Sequence, residues 1–217
     1  MTGQRSLKTS EVFTLSLLLL AGFGMSYYLL GGYQSMGIDQ QELIDWDKVK
    51  VAFRDYLRNP VPERAKVFLD TLPREKTRDQ TDNESAAVDY IYDNYLSFEA
   101  GVLAGDRYLT EAAFRLLNFS DGDFAEALNE ILGKLATLNP RLFLEFLNKY
   151  KNSWFVKIVE YPVYGTGAEK REEILSEWAR RIKALKTVKE SKFKQVRDEC
   201  IRLLEEAIKY PPEWLVK

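Results

Sequence analysis

Apolar and polar residues divide this chain into one stretch with no charge and a long succession of stretches where they alternate at helical spacing. Val12 to Tyr33, VFTLSLLLLAGFGMSYYLLGGY, carries no charged side chain. Those 22 residues would rise about 33 Å as a helix, enough for a hydrocarbon core of about 30 Å. Arg5 and Lys8 precede the run, whereas Asp39, Glu42, Asp45 and Asp47 are the first charges after it. Basic flanks stay cytoplasmic, so the pattern predicts a single-pass anchor with its C-terminal part outside the cytoplasm. Tyr27, Tyr28 and Tyr33 lie where an amphipathic ring sits at headgroup level. The alternative is a cleaved signal peptide with Val12 to Ala21 as its apolar core and a cut after Gly24, which would make the protein periplasmic or secreted. The run continues past that cut for longer than a signal core needs, which favours retention.

Beyond the run the period is 3 to 4. Trp46, Val49, Phe53 and Leu57 share one face of a helix over 45–58 that Asn59 and Pro60 must stop. Pro62 suits a first turn, and Ala65, Phe68, Leu69 and Leu72 follow before Pro73. Residues 74–83, REKTRDQTDN, are wholly polar and mark a loop and the best internal boundary. Val88, Ile91, Tyr92, Tyr95 and Leu96 predict one helix; Ala112, Ala113, Leu116 and Leu117 predict another. Gly101 and Gly105 between them signal a break or a close approach. Ser120 or Asp121 is placed to cap a helix bearing Phe124, Leu128, Ile131, Leu132 and Leu135, and Asn139–Pro140 repeats that grammar before Leu142, Phe143, Phe146 and Leu147. Residues 153–163, SWFVKIVEYPV, are the one β-branched and aromatic run; a helix or extended connector is favoured there over a short strand. After a turn at Gly165–Gly167, one stripe of Ile174, Trp178, Ile182 and Leu185 and another of Phe193, Val196, Cys200, Leu203 and Ala207 predict a closing pair of long helices.

The fold class is therefore all-α: an N-terminal transmembrane or signal helix, then antiparallel helical hairpins as a HEAT-like array or an irregular α-bundle. The likeness to HEAT or armadillo arrays is one of architecture, because no residue pattern repeats. The domains predicted are 1–37, a cytoplasmic stub with the anchor or signal, and 38–217, an extracytoplasmic all-α domain with a possible boundary at 74–83.

Composition narrows the chemistry. The chain has no histidine, which removes the usual general base, metal ligand and pH switch. Cys200 is the sole cysteine, so no intramolecular disulfide forms, and its place on the apolar stripe predicts a buried thiol. From Asp82 to Glu130 eleven acids face only Arg107 and Arg115, a net −9, while 168–209 has twelve basic residues and nine acids, a net +3, with Arg180, Arg181, Lys183, Lys186, Lys189, Lys192 and Lys194 clustered. Solvated helix faces account for both blocks, and the acidic centre repels nucleic acid. Basic residues at 180–194 can also meet anionic lipid headgroups.

Candidate sites are few. Asp89 and Asp93, four apart on one helix face with Glu99 beyond, are the suspects for a carboxylate-only enzyme. Tyr90, Tyr92, Tyr95 and Tyr108 can line a peptide or glycan groove, or simply pack. Ser120–Asp123 lacks the spacing and closing glutamate of a calcium loop and reads as a cap, and Gly165–Gly167 lacks the spacing of a phosphate-binding loop. The pattern predicts no catalytic, cofactor-binding or metal-binding residues, no cofactor and no nucleic-acid partner. The partners expected are the membrane, through residues 12–33, and another protein. The role predicted is a membrane-tethered extracytoplasmic scaffold or protein-binding module.

Overall fold

Helix follows helix because each apolar stripe is bounded by a cap or a proline. The computed structural model describes residues 45–73, 82–150, 157–161, 171–212 and 215. The uncharged run 12–33, nearly all of the polar loop 74–83 and the Gly165–Gly167 turn lie outside the described residues. Among the described residues every regular element is helical, and no helix is long and apolar enough to cross a membrane.

Helix α1 (Trp46–Arg58) starts where Asp45 Oδ1 accepts from the Lys48 amide at 3.1 Å, and it buries Trp46, Val49, Ala52, Phe53 and Tyr56. Helix α2 (Pro62–Thr71) opens on its proline as the sequence predicts and packs against α1. Phe53 joins them, its ring centroid 4.9 Å from Phe68 and 6.1 Å from Phe98. Each such fully buried ring contributes about 1.5–3 kcal/mol by leaving water.

The stretch predicted as one helix through Leu96 is two, α3 (Asp82–Asp93) and α4 (Tyr95–Leu103). Asn94 interrupts them: its Nδ2 donates to the Tyr90 carbonyl at 2.9 Å, taking the place of a continuing turn. The bend leaves Leu96, expected on the apolar face, 65% exposed. Gly101 approaches Leu109 and the Tyr56 hydroxyl closely, whereas Gly105, at φ +88°, ends the helix, so the two glycines divide the roles the sequence left open. Asp106 then caps α5 (Arg107–Leu116) through the amides of Tyr108 and Leu109 at 2.8 and 3.1 Å.

Helix α5 is buried nearly all round and meets α2, α4, α6 and α7. Helix α6 (Gly122–Leu138) is the longest of the described helices and packs against α4, α5, α7, α8 and a connector. Asp121 occupies its N-cap position, but its side chain makes no capping bond; the Ser120 hydroxyl donates backward to the Leu116 carbonyl at 2.9 Å instead. The Asn139 cap of α7 (Pro140–Tyr150) is formed as predicted, Oδ1 accepting from the Leu142 amide at 3.2 Å. Phe114 of α5 stacks on Tyr150 of α7 at 5.9 Å.

Within the β-branched run, Lys157–Glu160 is a 3₁₀ turn, in line with the connector favoured over a strand. Helix α8 (Arg171–Leu185) and helix α9 (Lys194–Lys209) close the fold, with a 3₁₀ turn at Ser191–Phe193 between them. Residues 44–217 form one compact unit in which α5, α6 and α7 stand between the earlier helices and the later ones.

Candidate functional site

The bend at Asn94 turns two tyrosines toward α6. Tyr92, at the end of α3, and Tyr95, at the start of α4, stack with centroids 5.9 Å apart and planes 26° apart; Tyr92 also tilts against Phe124 of α6 at 5.5 Å. Along the facing side of α6, Asp123, Glu126, Glu130 and Lys134 recur at spacings of 3 and 4, one helical stripe. Tyr92, Tyr95, Glu99, Asp123, Glu126 and Glu130 line a groove of about 240 Å³, with Lys134 one turn beyond it on α6.

Its two ends differ electrostatically. Lys134 Nζ sits 2.7 Å from both Glu99 Oε1 and Glu130 Oε1. Burial works to lower the pKa of this ammonium, but the hydrogen bonds to Glu130 and Glu99 outweigh it and hold the pKa above the usual lysine value. Toward the start of α6, Asp123 and Glu126 are exposed and make no ion pair among the described residues. Four carboxylates against one ammonium leave the groove at −3. Carboxylates beside tyrosine faces suit a cation, by charge-assisted hydrogen bonds and cation–π contact.

Of the residues singled out from the sequence, Tyr92, Tyr95 and Glu99 thus come together. Asp89 and Asp93 stand exposed on α3, while Glu99 is tied to Lys134. Tyr90 packs its ring edge-on to Phe53 at 6.3 Å under Lys50, and Tyr108 leans on the core from α5. No cluster of three ligating side chains suited to a metal ion occurs among the described residues.

Three buried polar groups serve other ends. Glu111 Oε1 accepts from Arg115 at 2.7 Å, Lys149 at 2.8 Å and the Tyr150 hydroxyl at 3.1 Å, while Arg115 Nη1 reaches the carbonyls of Leu69 and Leu72 at 3.2 Å each. Burial tends to raise the Glu111 pKa, but Lys149 and Arg115 outweigh it and hold it below the ordinary value. The knot fastens the C-terminal end of α2 to α5 and α7. Cys200 is fully buried as predicted, and burial pushes its thiol up to about 12.

Arg181 corrects the reading of the basic block as solvated. It is fully buried, donating from Nη1 to the Val159 and Tyr161 carbonyls at 2.7 and 2.6 Å, and burial pulls its pKa down to about 10. Its guanidinium lies on Gly133 of α6, where an added Cβ would fall 2.8 Å from Nη2. With Trp178 Nε1 donating to the Glu160 carbonyl at 3.0 Å, it clamps the connector 157–161 to α8. The signal was present in the sequence: Ile174, Trp178, Arg181 and Leu185 are spaced 4, 3 and 4.

No protein-family model, curated protein or solved structure matches this chain.

Proposed function

We propose that this chain is a membrane-tethered binding module, held by residues 12–33, whose array of helical hairpins faces away from the cytoplasm and receives a basic segment of another protein in the acidic groove. The groove carries this reading: two stacked tyrosines beside Asp123 and Glu126, carboxylates that no cation of the described domain answers. An exposed carboxylate pair next to aromatic faces is inexpensive to keep in water and gains most when a desolvated guanidinium or ammonium arrives. The uncharged run supports the tether, and its basic N-terminal flank supports the orientation.

Two measurements test the two halves. The intact mass of protein from membranes washed at alkaline pH should be that of the full chain; a soluble product lacking about the first two dozen residues would replace the tether with a cleaved signal. A photo-crosslinking residue at Tyr95 in the full-length membrane protein should yield a discrete adduct that vanishes with Glu126→Lys and weakens with salt. Adducts indifferent to both changes would rule out the groove.

A further inference from the structure

A second charged surface lies at the other end of α6. Lys183 on α8, Lys186 and Lys189 in the turn, Lys192 in the 3₁₀ turn and Lys194 at the start of α9 are all exposed. Of these, Lys186 pairs with Glu205 at 3.0 Å, and the other four make no ion pair among the described residues. The neighbouring acids are mostly answered: Glu190 accepts from Arg141 at 2.8 Å and Asp198 from Arg197 at 2.6 Å, leaving Glu199 exposed on α9.

This corner is held firmly. Val188 and Phe193 are buried beneath it, and Arg197 Nη1 donates to the Val188 carbonyl at 2.7 Å. Its neighbour Arg141 begins α7, just past the C-terminal end of α6, whereas Asp123 and Glu126 of the groove lie in the first turns of α6. Glu126 and Leu138 are twelve residues apart, about 18 Å along a helix axis. That exceeds a Debye length of about 8 Å at physiological ionic strength, so the two surfaces act independently.

We propose that the lysine corner is an interaction surface for anionic lipid headgroups of the bilayer that carries the tether. The inference builds on the tether of the proposed function. Eleven residues, 34 through 44, separate the uncharged run from the described domain, a chain length of at most about 40 Å. Clustered lysines beside a membrane segment are drawn to anionic lipid by charge alone, at about fivefold in affinity per residue near the surface.

The test uses the full-length chain with Lys189→Cys or Glu126→Cys spin-labelled, since native Cys200 is buried and its thiol protonated. The protein is reconstituted in vesicles of phosphatidylcholine alone or mixed with phosphatidylglycerol, and collision of each label with a water-soluble paramagnetic chelate is read. Phosphatidylglycerol should lower collisions at position 189 severalfold, reversibly with salt, and leave position 126 unchanged. Equal collisions at 189 in both vesicles, with the protein floating in both, overturn the headgroup contact and leave the tether standing. Equal protection of both positions overturns the assignment of the contact to the lysine corner. Flotation only with phosphatidylglycerol, together with protection at 189, removes the tether and keeps the contact, and flotation with neither overturns both.

Discussion

Arg181 and Gly133 are a matched pair: a planar cation buried to zero exposure needs a neighbour without a side chain. Gly133→Ala would drive a Cβ into a guanidinium pinned by two carbonyls, so the group cannot swing aside without orphaning them. Overpacking of this kind costs about 1–3 kcal/mol, visible as a lowered denaturation midpoint with the slope unchanged. A variant as stable as the parent would mean that the clamp is soft. Glu111 is one of the carboxylates that shape the acid limb of stability. Its folded pKa lies below the ordinary 4.5, so its ion pairs stabilise fully above that value and are lost as pH falls through the folded pKa. Glu111→Gln should cost about 1–3 kcal/mol at neutral pH. The gap to the parent should narrow in denaturation series as pH falls below 4.5 and through the folded pKa; a gap constant with pH would refute it.

At the level of elements, boundaries held wherever a cap or proline acted locally. Asp45, Pro62, Asn139 and the prolines after Tyr210 each place an end within one or two residues of the predicted one. They failed where a side chain had two local choices. Asn94 bonds back to Tyr90 and divides a helix that periodicity ran together, and Ser120 bonds back to Leu116, leaving Asp121 in the cap position without a capping bond. Gly105 is the firmest of the breaks, because φ +88° is strained for any side chain. Gly105→Ala should cost about 1–2 kcal/mol. Hydrogen exchange should quicken first at the α4–α5 junction, and unchanged protection there would argue against a strained turn.

As a whole molecule, the unit from 44 to 217 has no disulfide and takes its cohesion from one apolar core spanning α1 to α9. Cys200 reports on that cohesion from inside α9. With its pKa near 12, only about one thiol in ten thousand would be ionised at pH 8, and the sulfur is buried besides. A maleimide should therefore label native protein at the rate of global opening, with labelling and loss of helical signal sharing one denaturant midpoint. Labelling well before that midpoint would show α9 opening as a separate unit. Charge is also organised at this scale, because α6 carries acids at its beginning and leads toward lysines beyond its end.

The sequence by itself determined the all-helical class, most helix ends and the buried cysteine, because periodicity, caps and prolines act over a few residues. The tertiary structure decided which polar residues leave water and which aromatic residues meet. Arg181 sits in a block that the charge pattern reads as solvated, yet Gly133 and two connector carbonyls, 20 to 48 residues away in sequence, give it a buried seat. Tyr92 and Tyr95 became a groove wall through the bend at Asn94, while Tyr90 and Tyr108 went to packing. Contacts so distant along the chain leave no local period to read: burial of a charge depends on partners that only folding brings near.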